Sequence, residues 1–143
     1  MKRIILIALL FLTPFLVSAQ SVTGKWKTID DDTGKPKSIV EIYEKNGLLY
    51  GEIIKLFREP HEVQDPICNE CEDDRKGKKI IGMVILRDMK KDGSEWEDGT
   101  ICDPKSGKIY DCELWIDDED PNKLKVRGYI LFLYRTQTWL RAD

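Results

Sequence analysis

The chain has 143 residues and a formal net charge of −3, a size that suits one domain. Its acidic balance excludes nucleic acid as an expected partner, because phosphate binding needs a basic face. Charged residues make up 34% of the sequence, which gives a well-solvated exterior and argues against a polymer-forming or membrane-coating protein.

The first nineteen residues read as a secretory signal peptide. Lys2 and Arg3 give a positive start, Ile4 to Val17 is apolar apart from Thr13 and Pro14, and Val17-Ser18-Ala19 offers small residues for cleavage after Ala19. The alternative is a membrane anchor, but a span needs ~20 apolar residues. The expected mature domain is residues 20–143, secreted or periplasmic. No cysteine follows Ala19 directly and no later segment reads as a membrane span. A mature chain of this size can build a real core, although cross-links would help it.

Strand signals fill the rest. Gly24 to Ile29 is the first expected strand, and Asp30-Asp31-Asp32-Thr33-Gly34-Lys35-Pro36 reads as a loop. Ser38 to Lys45 and Leu48 to Leu56 flank Asn46-Gly47, a strong hairpin signal because both residues tolerate positive φ. Phe57 to Lys79 breaks the rhythm with Pro60, Pro66, the only histidine and a Cys-x-x-Cys, and reads as a long insertion with room for a short helical turn. Ile80 to Arg87 is the next expected strand, with Asp88 to Gly93 as a turn. Trp96 to Cys102 and Lys108 to Ile116 flank another hairpin loop. Asp117 to Asn122 is a polar turn, and Lys123 to Leu131 and Phe132 to Arg141 complete eight strands.

No period of 3.6 is sustained after residue 20, so the chain is all-β. A single antiparallel up-and-down barrel of about eight strands fits, since closure removes exposed edges; a two-sheet sandwich is the alternative. Barrels of this size are either filled by side chains or hold one small ligand. Alternation puts Tyr110, Cys112, Leu114 and Ile116 on one face, expected inward, with Trp115 on the other. Arg135, Gln137, Trp139 and Arg141 share a face of the last strand. Trp139 inward brings polar company with it, either as a mixed pocket or as arginine heads reaching water at the barrel end.

Cysteines in an exported chain default to bridges. A Cys68–Cys71 bridge closes a short loop and contributes only ~2 kcal/mol; Cys71–Cys102 would close about thirty residues and contribute ~3.7 kcal/mol. Near-symmetric pairing puts Cys102 opposite Lys108 or Ile109, which leaves Cys112 beyond the ~7 Å Cα reach of a disulfide. The expectation is therefore Cys68–Cys71 bridged, with Cys102 and Cys112 reduced or separately buried. Acidic neighbours Glu70, Glu72, Asp73 and Asp74 disfavour a redox-active thiolate at Cys68 or Cys71. With His61 these two cysteines supply three ligands, short of a tetrahedral zinc set. No nucleophile motif accompanies His61, so no triad is expected. The acidic runs at Asp30–Asp32 and Asp117–Asp120 lack the spacing of a calcium loop and read as solvated turns. Glu95, Glu97 and Asp98 are carboxylates on a strand edge, expected to face water rather than to cleave sugars. No catalytic residue, metal or cofactor is assigned.

Gly24-x-Trp26 in the first strand and Arg141 in the last resemble the calycins, the superfamily of lipocalins and fatty-acid-binding proteins. More specific strings are Gly82-Met83-Val84-Ile85-Leu86, Gly99-x-Ile101-x-Asp103-Pro104-x-x-Gly107-Lys108-x-Tyr110-x-Cys112, Lys125-Val126-Arg127-Gly128-Tyr129 and Arg135-Thr136-Gln137-Thr138-Trp139-x-Arg141. With Cys68-x-x-Cys71 they resemble a family of small exported bacterial proteins, domain of unknown function 2147. The resemblance spans the mature chain and implies a lipocalin-like barrel, with Gly24, Trp26 and Arg141 closing one end. It implies no established activity.

The expected function is therefore binding without catalysis, of a small, partly apolar molecule with a polar or acidic head. Trp26, Tyr43, Tyr110, Leu114, Arg127 and Trp139 are the expected lining, with Arg127 or Arg135 orienting the head. The alternatives are a filled barrel whose cysteine loop docks an exported protein, and a metal or thiol site at Cys68, Cys71 and His61.

Overall fold

The computed structural model describes residues 21–143; the expected signal peptide lies outside them. Eight antiparallel strands, each beside the next in sequence, form a closed barrel. They are β1 (Gly24–Ile29), β2 (Pro36–Lys45), β3 (Leu48–Leu56), β4 (Val84–Asp92), β5 (Glu95–Cys102), β6 (Ile109–Ile116), β7 (Lys123–Ile130) and β8 (Leu133–Arg141). Asn46 and Gly47 turn β2 into β3 with φ of 54° and 78°, the left-handed pair that a two-residue hairpin requires. Closure satisfies the edges that eight open strands would expose.

The strand directions give the barrel two unlike ends. One end carries the start of β1, the C-terminal end of β8 and the short turns after β2, β4 and β6. The other, the mouth, carries the β1–β2 loop, the β3–β4 insertion, the β5–β6 loop and the β7–β8 turn. Side chains fill the closed end: Trp26, Val40, Ile42, Leu49, Leu86, Met89, Leu114 and Leu124 are all buried there. The Trp26 indole N–H donates to the Val22 carbonyl at 2.8 Å, which lets its polar edge be buried. The Arg141 guanidinium carbon lies 4.2 Å from the centre of the same ring, and Arg141 Nη2 donates to the Ser21 and Pro121 carbonyls at 3.0 and 3.3 Å.

One strand differs from expectation. Ile80 to Met83 is not strand, and β4 instead runs on through Asp88 to Asp92. Gly82 N donates to Ile53 O at 2.7 Å and Ile53 N to Met83 O at 2.9 Å, so the apolar run Ile80–Met83 tucks against β3 as an irregular turn. The expected turn at Asp88 is a positive-φ irregularity within the strand (φ 57°), and the reversal comes at Gly93. Lys90 and Lys91 belong to a hairpin arm opposite Glu97 and Trp96. A charged stretch here marks a solvent face, not a turn.

The insertion between β3 and β4 is ordered by its own contacts and forms turns, not a helix. Cys68 and Cys71 are bonded, with both sulfurs buried. Ile67 and Lys79 form a bridge, and Cys68 N donates to Lys78 O at 2.8 Å. Arg75, buried, is gripped by Asp73 (2.7 Å) and donates to the Val84 carbonyl at 3.0 Å. Arg87 of β4 holds Asp74 through two hydrogen bonds of 2.8 and 2.9 Å. Gly107 in the β5–β6 loop (φ 73°) lets the Glu70–Cys71 backbone come so close that any Cβ there would collide with it.

Candidate functional site

The barrel is filled only part of the way up. Above the Trp26 layer the interior opens into a cup of about 320 Å³ facing the mouth. That lies within the ordinary range for small-molecule sites, which starts near ~300 Å³. Trp139, Ile53, Ile85 and Val126 are buried around it, and Ile101, Leu56 and Tyr110 continue its apolar wall. Gly128, opposite Cys112 on β6, contributes no side chain, and a Cβ added there would meet the Cβ and ring of the diagonal neighbour Tyr110 at 3.4 and 3.6 Å.

Polar groups are gathered on one side. Thr28 and Ser38 hydroxyls, both buried, pair at 2.6 Å in the wall formed by β1 and β2. On the adjoining strand β8, Arg135 and Gln137 stand at the rim of the cup. The Trp139 indole N–H donates to Gln137 Oε1 at 3.1 Å, and Gln137 Nε2 donates to Asp31 Oδ2 at 2.8 Å. Arg135 Nη2 meets the same oxygen at 2.6 Å.

This cluster closes a gap in the barrel. The β1–β8 ladder consists of Trp26 opposite Arg141 and Lys27 opposite Leu140, whereas β8 continues to Leu133. β1 ends too early to pair with the upper part of β8. The β1–β2 loop leans across instead, and the Asp31 carboxylate bridges the seam. Asp30 fixes that loop by accepting from Asp32 N and Thr33 N, both at 2.9 Å. These backbone donors hold its carboxyl below the usual range.

The expected lining residues divide into three groups. Tyr110 and Trp139 line the cup. Trp26 and Leu114 point inward but belong to the packed layer beneath it. Tyr43 and Arg127 are on the outer wall, a correction to the expected lining. On β2 the inward residues are Ser38, Val40 and Ile42, so Tyr43 faces out and stacks on Tyr50 with ring centres 5.9 Å apart. On β7 Leu124 and Val126 face in, so Arg127 faces out, with its guanidinium 4.9 Å from Trp115 and 4.5 Å from Tyr134. Arg135 is the arginine that reaches the cup. Asp31 was the contributor that strand alternation could not find, since it lies in a loop; Gln137 was detectable as a same-face neighbour of Trp139.

The remaining chemical groups lie elsewhere. His61 is exposed in the insertion. Among the described residues no cluster of three or more His, Cys, Asp or Glu side chains has metal-binding geometry. Glu95 shares a hydrogen bond with Glu113 on the outer wall, and that bond with its like-charge repulsion raises the Glu95 pKa. Cys102 and Cys112 are free and buried. Cys102 touches the cup, and burial raises its thiol pKa. Burial pushes Cys112 up to about 12.

The fold has a solved relative. "Protein HP1028 from the human pathogen Helicobacter pylori", described as belonging to the lipocalin family, superimposes with a TM-score of 0.70 at 20% identity, covering 86% of this chain and 84% of that one. At that identity the likeness shows a shared lipocalin-like barrel. A search of curated proteins finds no match. The model of an uncharacterized protein family conserved in bacteria, domain of unknown function 2147, matches residues 24–141, and the chain belongs to that family.

Proposed function

We propose that this is an exported carrier that binds a small, partly apolar molecule with an anionic head and does not transform it. The observation that carries this reading is the cup itself, apolar on its walls with Arg135 and Gln137 side by side at its rim. Both already hold a carboxylate, that of Asp31. A ligand carboxylate of similar geometry would take over these donors, and an arginine suits this role because its planar fork matches a carboxylate. The lipocalin-like fold supports the same reading, and so does the signal-like leader for export.

The volume limits the ligand. A water molecule's share of liquid is ~30 Å³, so the cup holds on the order of ten non-hydrogen atoms. A medium-chain carboxylate such as octanoate fits that limit. The test is isothermal titration calorimetry of the processed chain with octanoate and with octanol. Octanoate should bind about tenfold more tightly, and Arg135→Gln should erase the difference. No binding of either compound would refute the binding reading. The mass of the chain recovered from a bacterial periplasm checks export: it should start at Gln20.

A further inference from the structure

The β7–β8 hairpin carries the most exposed apolar surface of the described residues. Leu131 is 88% exposed, Phe132 86%, Leu133 66% and Tyr134 63%. Ile130 and, on the neighbouring strand, Ile109 extend the patch. No charge interrupts the run from Gly128 to Tyr134. Every other exposed large hydrophobic side chain except Leu140 also sits at the mouth end, in the insertion. Contiguous apolar surface of this kind marks an interaction site.

The backbone at the tip argues the same way. Leu131 has φ 54°, the left-handed region where an ordinary side chain costs roughly 1–2 kcal/mol. Glycine or asparagine would suit the turn better. Neither burial nor turn geometry accounts for leucine there. Strain of this sort, found together with exposure, points toward function.

The chemistry changes in order along the hairpin. The apex is aliphatic and aromatic. Next come Tyr129 and Tyr134, opposite each other with ring centres 5.9 Å apart. Then come Arg127 and Arg135. Arg127 Nε donates to Thr136 Oγ1 at 2.8 Å, which holds its guanidinium against the Tyr134 and Trp115 rings. At ~3.3 Å per residue the arginines lie about 10 Å below the apex. An apolar end, a tyrosine collar and a cationic level at that spacing match the acyl, interfacial and phosphate levels of a bilayer surface. The ladder is paired up to Ile130 opposite Leu133, so the hairpin's facing backbone groups are satisfied almost to the apex, as entry into lipid demands. Asp111 and Glu113 flank this level on β6, and Glu113 is engaged by the Tyr129 hydroxyl at 2.8 Å.

We propose that the β7–β8 tip is a shallow membrane anchor, which seats the mouth of the barrel on a lipid surface with Arg127 at the phosphates. It inserts without spanning. This proposal does not depend on what the cup binds.

The test is flotation of the processed chain, which contains every strand of the barrel, with vesicles of phosphatidylcholine alone or mixed equally with phosphatidylglycerol. The chain should float with both, and more tightly with the mixture. Leu131→Asn with Phe132→Ser should weaken binding to both by about tenfold or more, while the barrel melts no lower than the parent. Arg127→Gln should lose about fivefold on the mixed vesicles only. No flotation of the parent, or equal flotation of the tip variant, overturns the anchor. A concentration-dependent dimer abolished by the tip variant, with no vesicle binding, assigns the tip to a second copy and also overturns it. Unchanged mixed-vesicle binding by Arg127→Gln overturns the phosphate contact. Octanoate binding, measured by calorimetry on the same variants, reports on the cup separately.

Discussion

Arg141 lies over Trp26, its guanidinium carbon 4.2 Å from the ring centre, while its backbone pairs with Trp26 across the β1–β8 seam. The same guanidinium ties down Ser21 and Pro121, so one side chain joins the segment before β1, the β6–β7 loop and the last strand. The seam has only two paired positions, so it depends on this plug more than any other junction. Arg141→Lys keeps the charge and loses the planar stack and the fork. It should lower unfolding stability by about 1–2 kcal/mol. Trp26→Ala, which empties a fully buried ring site, should cost about 3–5 kcal/mol. Urea midpoints of the two variants check both values, and equal small losses would deny the plug its role.

Much of this architecture is legible in the amino-acid sequence. Asn46-Gly47 and the polar stretches after β5 and β6 separated the strands, and Gly24-x-Trp26 with Arg141 located the closed end. Facing was harder. On β2 Ile39 is buried alongside Val40, because the ladder shifts register between them. Apolar residues of both parities left Tyr43 ambiguous. On β7 the alternation of Lys125 and Arg127 with Leu124 and Val126 was clear, and Arg127 belonged outside. The role of Asp31 was not legible because it depends on β1 ending before β8, a relation between strands far apart in sequence. The β7–β8 reversal between Leu131 and Phe132 was legible, but its exposure was not, because Ile130 to Tyr134 has strand composition and no turn residue.

The insertion should respond to acid. Hydrogen bonds from Arg75 hold the Asp73 pKa at about 2, below the ordinary carboxyl value of 3.8. The folded value lies below the unfolded one, so the stabilisation is complete above about pH 4 and is lost as pH falls through about 2. Asp74, lowered by its bond to Arg87, acts in the same direction. The anchor of the insertion should loosen in that window while the barrel remains closed. Pepsin digestion should nick the chain between β3 and β4 progressively more as pH drops from 4 to 2. In Asp73→Asn the nicking should already be present at the upper end.

The cysteines should behave as two unlike pairs. Cys68 and Cys71 are bonded across a short loop worth only ~2 kcal/mol, so reduction should loosen the rim and leave the barrel folded. Cys102 and Cys112 are buried with raised thiol pKa values, and the thiolate is the reactive form. At neutral pH an aromatic disulfide reagent should find almost no thiol in the native protein and both after denaturation. Cys102, which touches the cup, should react first. A fast native reaction of Cys112 would contradict its burial.

The bond between Asp31 and Arg135 sets up competition at the cup. Asp31 gives Arg135 and Gln137 their carboxylate in the unliganded protein and draws the β1–β2 loop over the seam. An entering anion must displace it, and the freed Asp31 then repels the ligand head. Asp31→Asn removes that charge while its amide oxygen can still accept from Gln137. The variant should bind octanoate about threefold to tenfold more tightly and octanol no differently. Asp31→Asn should also make octanoate binding more sensitive to salt, since salt then screens an attraction to Arg135 that repulsion from Asp31 no longer offsets. Weaker octanoate binding by Asp31→Asn, measured by calorimetry, would mean that Asp31 shapes the site and does not compete for it.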